Sequence, residues 1–310
     1  MFLNVLVGVD GSSSGRDAIA LASRLLSPGG RLTLVHVRAP APSAAAGPFG
    51  GGADDAREAS RRLLVRERAS AEVATELVSI RDLAPGRGLH VQAEQREADL
   101  LVVGSCARAV AGRTMLADDT RAALNGAPCP VAIACCGYAR ATRPIRTVGV
   151  AYNRSRESDA ALIMAREIAA ATGAAVRALE VVPVMGHGFR AFVPASADER
   201  VDAMLQEAGE HMDGLLDVDG RVCYGLVGEE LAAFAREVDI LLVGARGYGP
   251  CGRAMVGHTA DHLERSAGCS LLLLTRDPAV NRADRAGIAG ELEFGSPAHR
   301  PTQTAAPLAK

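Results

Sequence analysis

Residues 238–263 read VDILLVGARGYGPCGRAMVGHTADHL. The run VDILLVG is apolar without alternation, as expected of a parallel strand covered on both faces. It empties into a loop carrying Gly244, Gly247, Gly249, Gly252 and Gly257, and a helix is expected to start directly afterwards. Strand, glycine loop and helix start together make a seat for an anion. The glycines let backbone amides converge on one point, and the helix start adds free N–H groups and a partial positive charge. A tight turn that needs glycine for its geometry alone is the other reading of the same residues.

Working outward, the chain repeats itself. ADLLVVG at 98–104 recurs as VDILLVG at 238–244, VLVGVDGSSSGRDAIALA at 5–22 as TVGVAYNRSRESDAALIMA at 147–165, and GAPCPVAIA at 126–134 as SAGCSLLLL at 266–274. The matches keep their order and an offset of about 140 residues, the mark of a duplicated domain. Within each copy, Val-rich runs alternate with helical stretches. NVLVGV and TVGVAY are read as first strands, followed by helices over Ala18–Leu26 and Ala160–Ala171. RLTLVHV and AVRALEVV are read as second strands, and ATELVSI and GRVCYGL as third strands. LHVQAEQREA and EELAAFAREV supply the helices before the fourth strands. Apolar strands separated by helices predict a doubly wound parallel α/β sheet in each half. The predicted domains are 1–138 and 139–276, with a linker over 137–146 and a disordered tail over 277–310. The Ala/Gly/Pro-rich stretch 39–56 is expected to be a mobile connection.

Composition narrows the function classes. The chain has 310 residues, 48% of them hydrophobic and only 3% aromatic, so its cores are built from Ala, Val, Leu and Ile. A net charge of −2 offers no electrostatic footprint for nucleic acid or an anionic membrane. No run reaches the length of a membrane span, and the opening MFLNVLVGVDGS has no basic n-region, so neither a span nor a secretory signal is expected. Seven cysteines without framework spacing or a CxxC point to a reducing, cytoplasmic setting.

These motifs resemble the universal stress protein family, in its tandem two-domain form, over roughly residues 2–276. The resemblance implies a Rossmann-like α/β/α sandwich, dimerisation through the last strand, and a role in stress physiology exercised by binding rather than catalysis. In that family, nucleotide-binding members carry G-x2-G-x9-G-(S/T) after the fourth strand and an Asp after the first strand that contacts the adenosine moiety. Gly244, Gly247 and Gly257 match that spacing, His258 replaces the Ser or Thr, and Thr259 follows. Asn153 stands in place of the Asp, with Val181 flanking the base side. The first half keeps Asp10, Val37 and Gly104, but Ala107 and Ala117 replace the later glycines, and Asp118 and Asp119 open the next helix. Carboxylates there cap the free amides themselves and repel a triphosphate at close range. The resemblance therefore implies ATP, with Mg²⁺, in the second half only. The competing reading is a nucleotide-free scaffold whose domains survive as a pairing surface. The halves are expected to fold face to face about a pseudo-two-fold axis, which would satisfy the dimer surface within one chain, although a homodimer is also compatible.

Other candidates are weaker. His258 and His262 lie four apart without a third ligand, so no metal is expected. Cys106 and Cys251 fall in the two loops, and Cys135 and Cys136 follow a predicted edge strand; all four read as small or packing residues. GVDGSSSG matches neither a catalytic phosphate loop nor G-x-G-x-x-G, so no enzyme is expected.

Overall fold

The computed structural model describes residues 1–39, 51–105, 109–115, 118–141, 144–184, 196–244 and 258–274. The first half comprises β1 (Phe2–Gly8), α1 (Ser13–Leu25), β2 (Leu26–Arg38), α2 (Gly51–Arg68), β3 (Thr75–Arg81), α3 (Pro85–Gln95), β4 (Leu100–Gly104), α4 (Asp118–Leu124) and β5 (Val131–Ala134). After α5 (Tyr138–Ala141) the second half repeats the plan. It comprises β6 (Thr147–Tyr152), α6 (Arg156–Thr172), β7 (Ala175–Pro183), α7 (Ser196–Asp213), β8 (Asp219–Gly225), α8 (Val227–Phe234), β9 (Ile240–Gly244), α9 (His258–Ser266) and β10 (Ser270–Leu274).

The helices start earlier than hydrophobic periodicity alone suggests, because serines cap them. Ser12 Oγ accepts from the Gly15 amide ahead of α1, and Ser155 Oγ from the Ser158 amide ahead of α6. Gly173, at φ +73°, ends α6 in the left-handed conformation that suits glycine. Residues 51–56, expected to belong to a mobile connection, instead form the first turns of α2. Asp54 in that first turn suits the positive end of the helix dipole. Residues 40–50 and the predicted tail lie outside the described residues.

The strands form one ten-stranded sheet in the order β3-β2-β1-β4-β5-β10-β9-β6-β7-β8. Pairing is parallel within each half, as the continuous apolar strands predict. The one antiparallel pair joins the halves, with Leu271, Leu272 and Leu273 opposite Ile133, Ala132 and Val131. The expected face-to-face arrangement is thus corrected to an edge-to-edge one. The physical reason lies in the two last strands. Every residue of β5 and β10 is buried, so each needs a partner for its main-chain groups, and each finds the other. β5 is accordingly interior, not the edge strand expected ahead of Cys135. Both sheet faces are covered continuously across this seam. Ala132, Ala134, Leu272 and Leu274 join the core under α1 and α6. Val131, Ile133, Leu271 and Leu273 join the core under α3 and α8.

Side chains lock the frame at matching places in both halves. Asp99 accepts from the amides of Leu3 and Asn4 at 2.6 and 2.9 Å, and Asp239 accepts from those of Arg146 and Thr147 at 2.8 and 2.9 Å. Each aspartate ties the start of a fourth strand to the start of a first. The predicted linker is part of the fold. Asp17, 3% exposed, accepts from the amides of Gly137 and Ala139 at 2.7 and 2.8 Å and so docks α5 on α1. At the seam, buried Thr114 donates its amide to the Ala267 carbonyl at 3.1 Å and its hydroxyl to the Cys269 carbonyl at 2.7 Å. Among the described residues, no helix is long and apolar enough to cross a membrane.

The last residues of β4 and β9 are glycines because helices cross them closely. A Cβ on Gly104 would collide with the Ser14 carbonyl in the first turn of α1, and one on Gly244 would lie 2.8 Å from the Glu157 carbonyl in α6. Gly104→Ala is therefore expected to destabilise the ligand-free protein by about 1–3 kcal/mol, through overpacking. Asp17→Ala, which leaves two amides unpaired, is expected to cost about 1.5–3 kcal/mol. Equilibrium urea unfolding checks both; an unchanged midpoint for Gly104→Ala would show that the crossing relaxes without cost.

Candidate functional site

Strand order reverses direction between β1 and β4 in the first half and between β6 and β9 in the second. The crevice beyond the carboxyl ends of those strands is where an open α/β sheet binds ligands. In the first half this crevice is a cleft of ≈ 450 Å³ lined by, among others, Asp10, His36, Val37, Gly104, Ser105 and Thr120. A cleft of that size suits a small organic ligand.

Asp10 is placed by a local turn. Its Oδ1 accepts from the Ser12 amide at 2.9 Å and the Ser12 hydroxyl at 2.6 Å, an Asx turn that Gly11 completes at φ +83°. Among the described residues, Oδ2 has no partner. The loop after β4 is committed elsewhere. Ser105 Oγ donates to the Met115 carbonyl at 3.0 Å and accepts from its amide at 2.8 Å. The Gly112 amide donates to the Cys136 carbonyl at 2.7 Å, and the Cys136 amide to the Arg113 carbonyl at 2.9 Å. Residues 112–115 thus run along the seam, and Thr114 fastens them to the other half. Thr120 Oγ1 donates to the Gly104 carbonyl at 3.2 Å. Ala107, Ala117 and the side chains of Asp118 and Asp119 lie outside the described residues.

The second half reproduces the Asx turn with an amide. Asn153 Oδ1 accepts from the Ser155 amide at 3.2 Å and the Ser155 hydroxyl at 2.6 Å. An amide oxygen accepts as a carboxylate oxygen does, which is why Asn153 fits where Asp10 stands. Val181 in β7 and Val37 in β2 pack against the same core, on the same face of the sheet. Gly244 ends β9 and Thr259, half-buried, lies in the first turn of α9, which begins at His258 as the loop pattern predicts. Gly247, Gly257, Cys251 and the side chain of His258 lie outside the described residues, as does Cys106. His262 packs over Gly228 of α8, a close contact that accounts for both residues.

Two residues at these sites were not singled out from the sequence. The first is Arg154, which stands where the first half has Gly11 and holds φ +61°. A non-glycine there costs roughly 1–2 kcal/mol, and its guanidinium makes use of the position. Nε donates to Glu180 at 2.9 Å and Nη1 to Glu207 at 2.6 Å. Glu180 is 5% exposed, and its other oxygen has no partner among the described residues. Beside it, Tyr152 donates to Asp159 at 2.8 Å and stacks on His211 with ring centroids 5.8 Å apart; burial and the Asp159 carboxylate push the phenol up to about 12. The second is His36, which lines the first cleft. Burial lowers its pKa from the ordinary 6.5; nearby Asp10 pulls the other way and Arg38 adds to the lowering. A reader of the sequence had two signals for these residues: an arginine replacing the glycine of the DGS turn, and a histidine next to Val37. Among the cysteines, burial raises the Cys129 thiol to about 12 and raises those of Cys135 and Cys269 as well, so none of the three is a ready nucleophile.

Comparison with known proteins agrees with this geometry. Residues 1–134 and 144–275 each match the model of the universal stress protein family. Among solved structures, a universal stress protein from Archaeoglobus fulgidus DSM 4304 superposes with a TM-score of 0.62 at 16% identity, over 88% of this chain and 98% of that one. A functionally unknown protein from Pseudomonas aeruginosa PAO1 gives 0.59 at 15% identity, over 93% and 98%. A protein from P. aeruginosa UCBPP-PA14 gives 0.60 at 16% identity over the same shares. At these identities the likeness carries the fold alone, and no curated protein matches the sequence. The two family matches cover nearly all of the described chain, and the chain belongs to the universal stress protein family as a tandem member.

Proposed function

We propose that the protein acts by binding adenine nucleotides without turnover, at two sites of unequal kind. The observation that carries this reading is the Asx turn built at the strand switch of both halves, which engages Oδ1 of Asp10 or Asn153 and leaves one polar atom of each without a partner among the described residues. In the first half that atom is the carboxylate Oδ2, an acceptor. In the second it is the Asn153 Nδ2, a donor. A ribose hydroxyl both donates and accepts, so it pairs with either.

The halves differ in what they offer a phosphate chain. The second-half loop ends at α9, a helix of nine residues whose first-turn amides and dipole suit an anion. Thr259 adds a hydroxyl there, and Mg²⁺ would accompany ATP. In the first half the corresponding loop is closed on itself by Ser105 and Met115 and fastened across the seam by Thr114, and α4 opens with two aspartates. That half is suited to the nucleoside alone.

Calorimetric titration tests the division. Mg-ATP is expected to fill one site, lost on Gly257→Trp and retained in Asp10→Ala, whereas adenosine is expected to fill a second site lost on Asp10→Ala. No heat from either ligand at millimolar concentration would overturn the proposal. A hydrogen bond to a charged acceptor is worth more than a neutral one. Asn153→Asp is therefore expected to tighten nucleoside binding in the second half by about tenfold, read from the same titration. Unchanged affinity would remove residue 153 from the site.

A further inference from the structure

Behind the Asp10 turn, the face of β2 that packs on α2 carries a row of polar side chains. Arg38 Nε donates to Ser79 Oγ at 2.9 Å. Ser79 Oγ lies 2.7 Å from Ser60 Oγ, and Ser60 Oγ lies 2.7 Å from His36 Nδ1. Ser60 is 2% exposed, so its hydroxyl must find partners within the protein. The direction of this chain follows from its first member. A guanidinium only donates, so Ser79 accepts from Arg38 and is free to donate onward to Ser60. Ser60 then donates to His36 Nδ1, which must carry a lone pair. Every hydrogen in that order meets an acceptor. In the reverse order Ser79 would accept twice, and its own hydrogen would have no acceptor among the described residues.

We infer that His36 is a ligand-reading hydrogen-bond donor of the first-half cleft, held with its proton on Nε2 by this one-way chain from Arg38. Nε2 is on the ring edge away from Ser60 and has no partner among the described residues. His36 lines the same cleft as Asp10. The two side chains offer complementary groups: Asp10 Oδ2 accepts, and His36 Nε2–H donates to a ligand acceptor such as a sugar oxygen or a purine ring nitrogen. The charged groups acting on the ring are Asp10, from the turn after β1, and Arg38, from β2 itself; their pulls oppose each other, and burial favours the neutral ring. The device is absent from the second half. There the same strand position carries Glu180, an acceptor already engaged by Arg154. The inference makes His36 specific to the first half, and it rests on the proposed reading of that cleft as a nucleoside site.

The test has two independent parts, both on the full chain. Long-range ¹H–¹⁵N NMR of the ligand-free protein at pH 7 is expected to show the His36 proton on Nε2, with titration below 6.5. Ser60→Ala, which removes the donor to Nδ1, is expected to raise that titration point. A proton on Nδ1 in the wild type overturns the inference whether or not any nucleoside binds. Adenosine titration then reads the ligand contact. His36→Leu is expected to weaken binding about tenfold, the worth of one hydrogen bond, and His36→Gln to restore most of it by returning a donor. Urea unfolding of both variants separates this from loss of fold. Wild-type affinity in a folded His36→Leu protein overturns the ligand role while leaving the nucleoside site in place. No adenosine binding by the wild type removes both the site and the role.

Discussion

The pairing of β5 with β10 is the constraint on which the rest of the molecule depends. Each half ends in a short strand with no exposed residue, and neither can leave its outer main-chain groups unpaired among apolar side chains. Joining the two strands antiparallel satisfies both at once and makes one sheet of two. It also carries the layer of apolar side chains on each face unbroken across the junction, so that two helical layers close over one sheet. The remaining features at the junction serve this pairing. Asp17 docks the connecting helix, Ser270 takes the Cys135 amide at 3.2 Å, and Thr114 ties the first-half loop to the turn before β10.

The same constraint shapes the first-half crevice. A loop that binds phosphate must present free amides to the ligand. In the first half, residues 112–115 spend theirs on Val110, Cys136, Ala267 and Ser105, and so give structure to the seam instead. The two turns beneath diverged by a different route. Asp10 and Asn153 keep the acceptor that shapes the turn and differ only in the second polar atom, a carboxylate oxygen in one and an amide nitrogen in the other. Gly11 and Arg154 share a left-handed backbone, but the arginine offsets its conformational cost with two carboxylate partners. Geometry was kept where the chain needs it to turn, and chemistry changed where a ligand would look.

Much of this was legible in the sequence. The duplicated strands announced two parallel half-sheets, because apolar runs without alternation suit strands buried on both faces. The start of α9 was likewise visible, as were the valines of the second strands. What remained hidden is non-local. Nothing in VAIA or SLLLL says which edge each strand will meet, so an edge-to-edge joint was read as a face-to-face one. Composition made residues 51–56 look like loop, although the amphipathic pattern that follows draws them into α2. Gly104 and Gly244 read as phosphate glycines, yet each is already required by the helix crossing it. Conversely, His36 sat in an ordinary-looking strand, and only the register that sets Ser60 and Ser79 beside it shows how its ring is held.

The connecting segment 137–146 has a consequence for the chain as a whole. Two separate domains that meet through their last strands form an equilibrium that dilution can undo, and their shared surface must complement a copy of itself. Here the partner is supplied by the same polypeptide, tethered by a short docked helix, so the effective concentration of one half around the other is fixed by geometry. Pairing no longer depends on how much protein is present. It also no longer demands identical strands: Val131, Ala132 and Ile133 on one side face three leucines on the other. Covalent union has released each half from having to complement a copy of itself, and mutations in one crevice need not be repeated in the other.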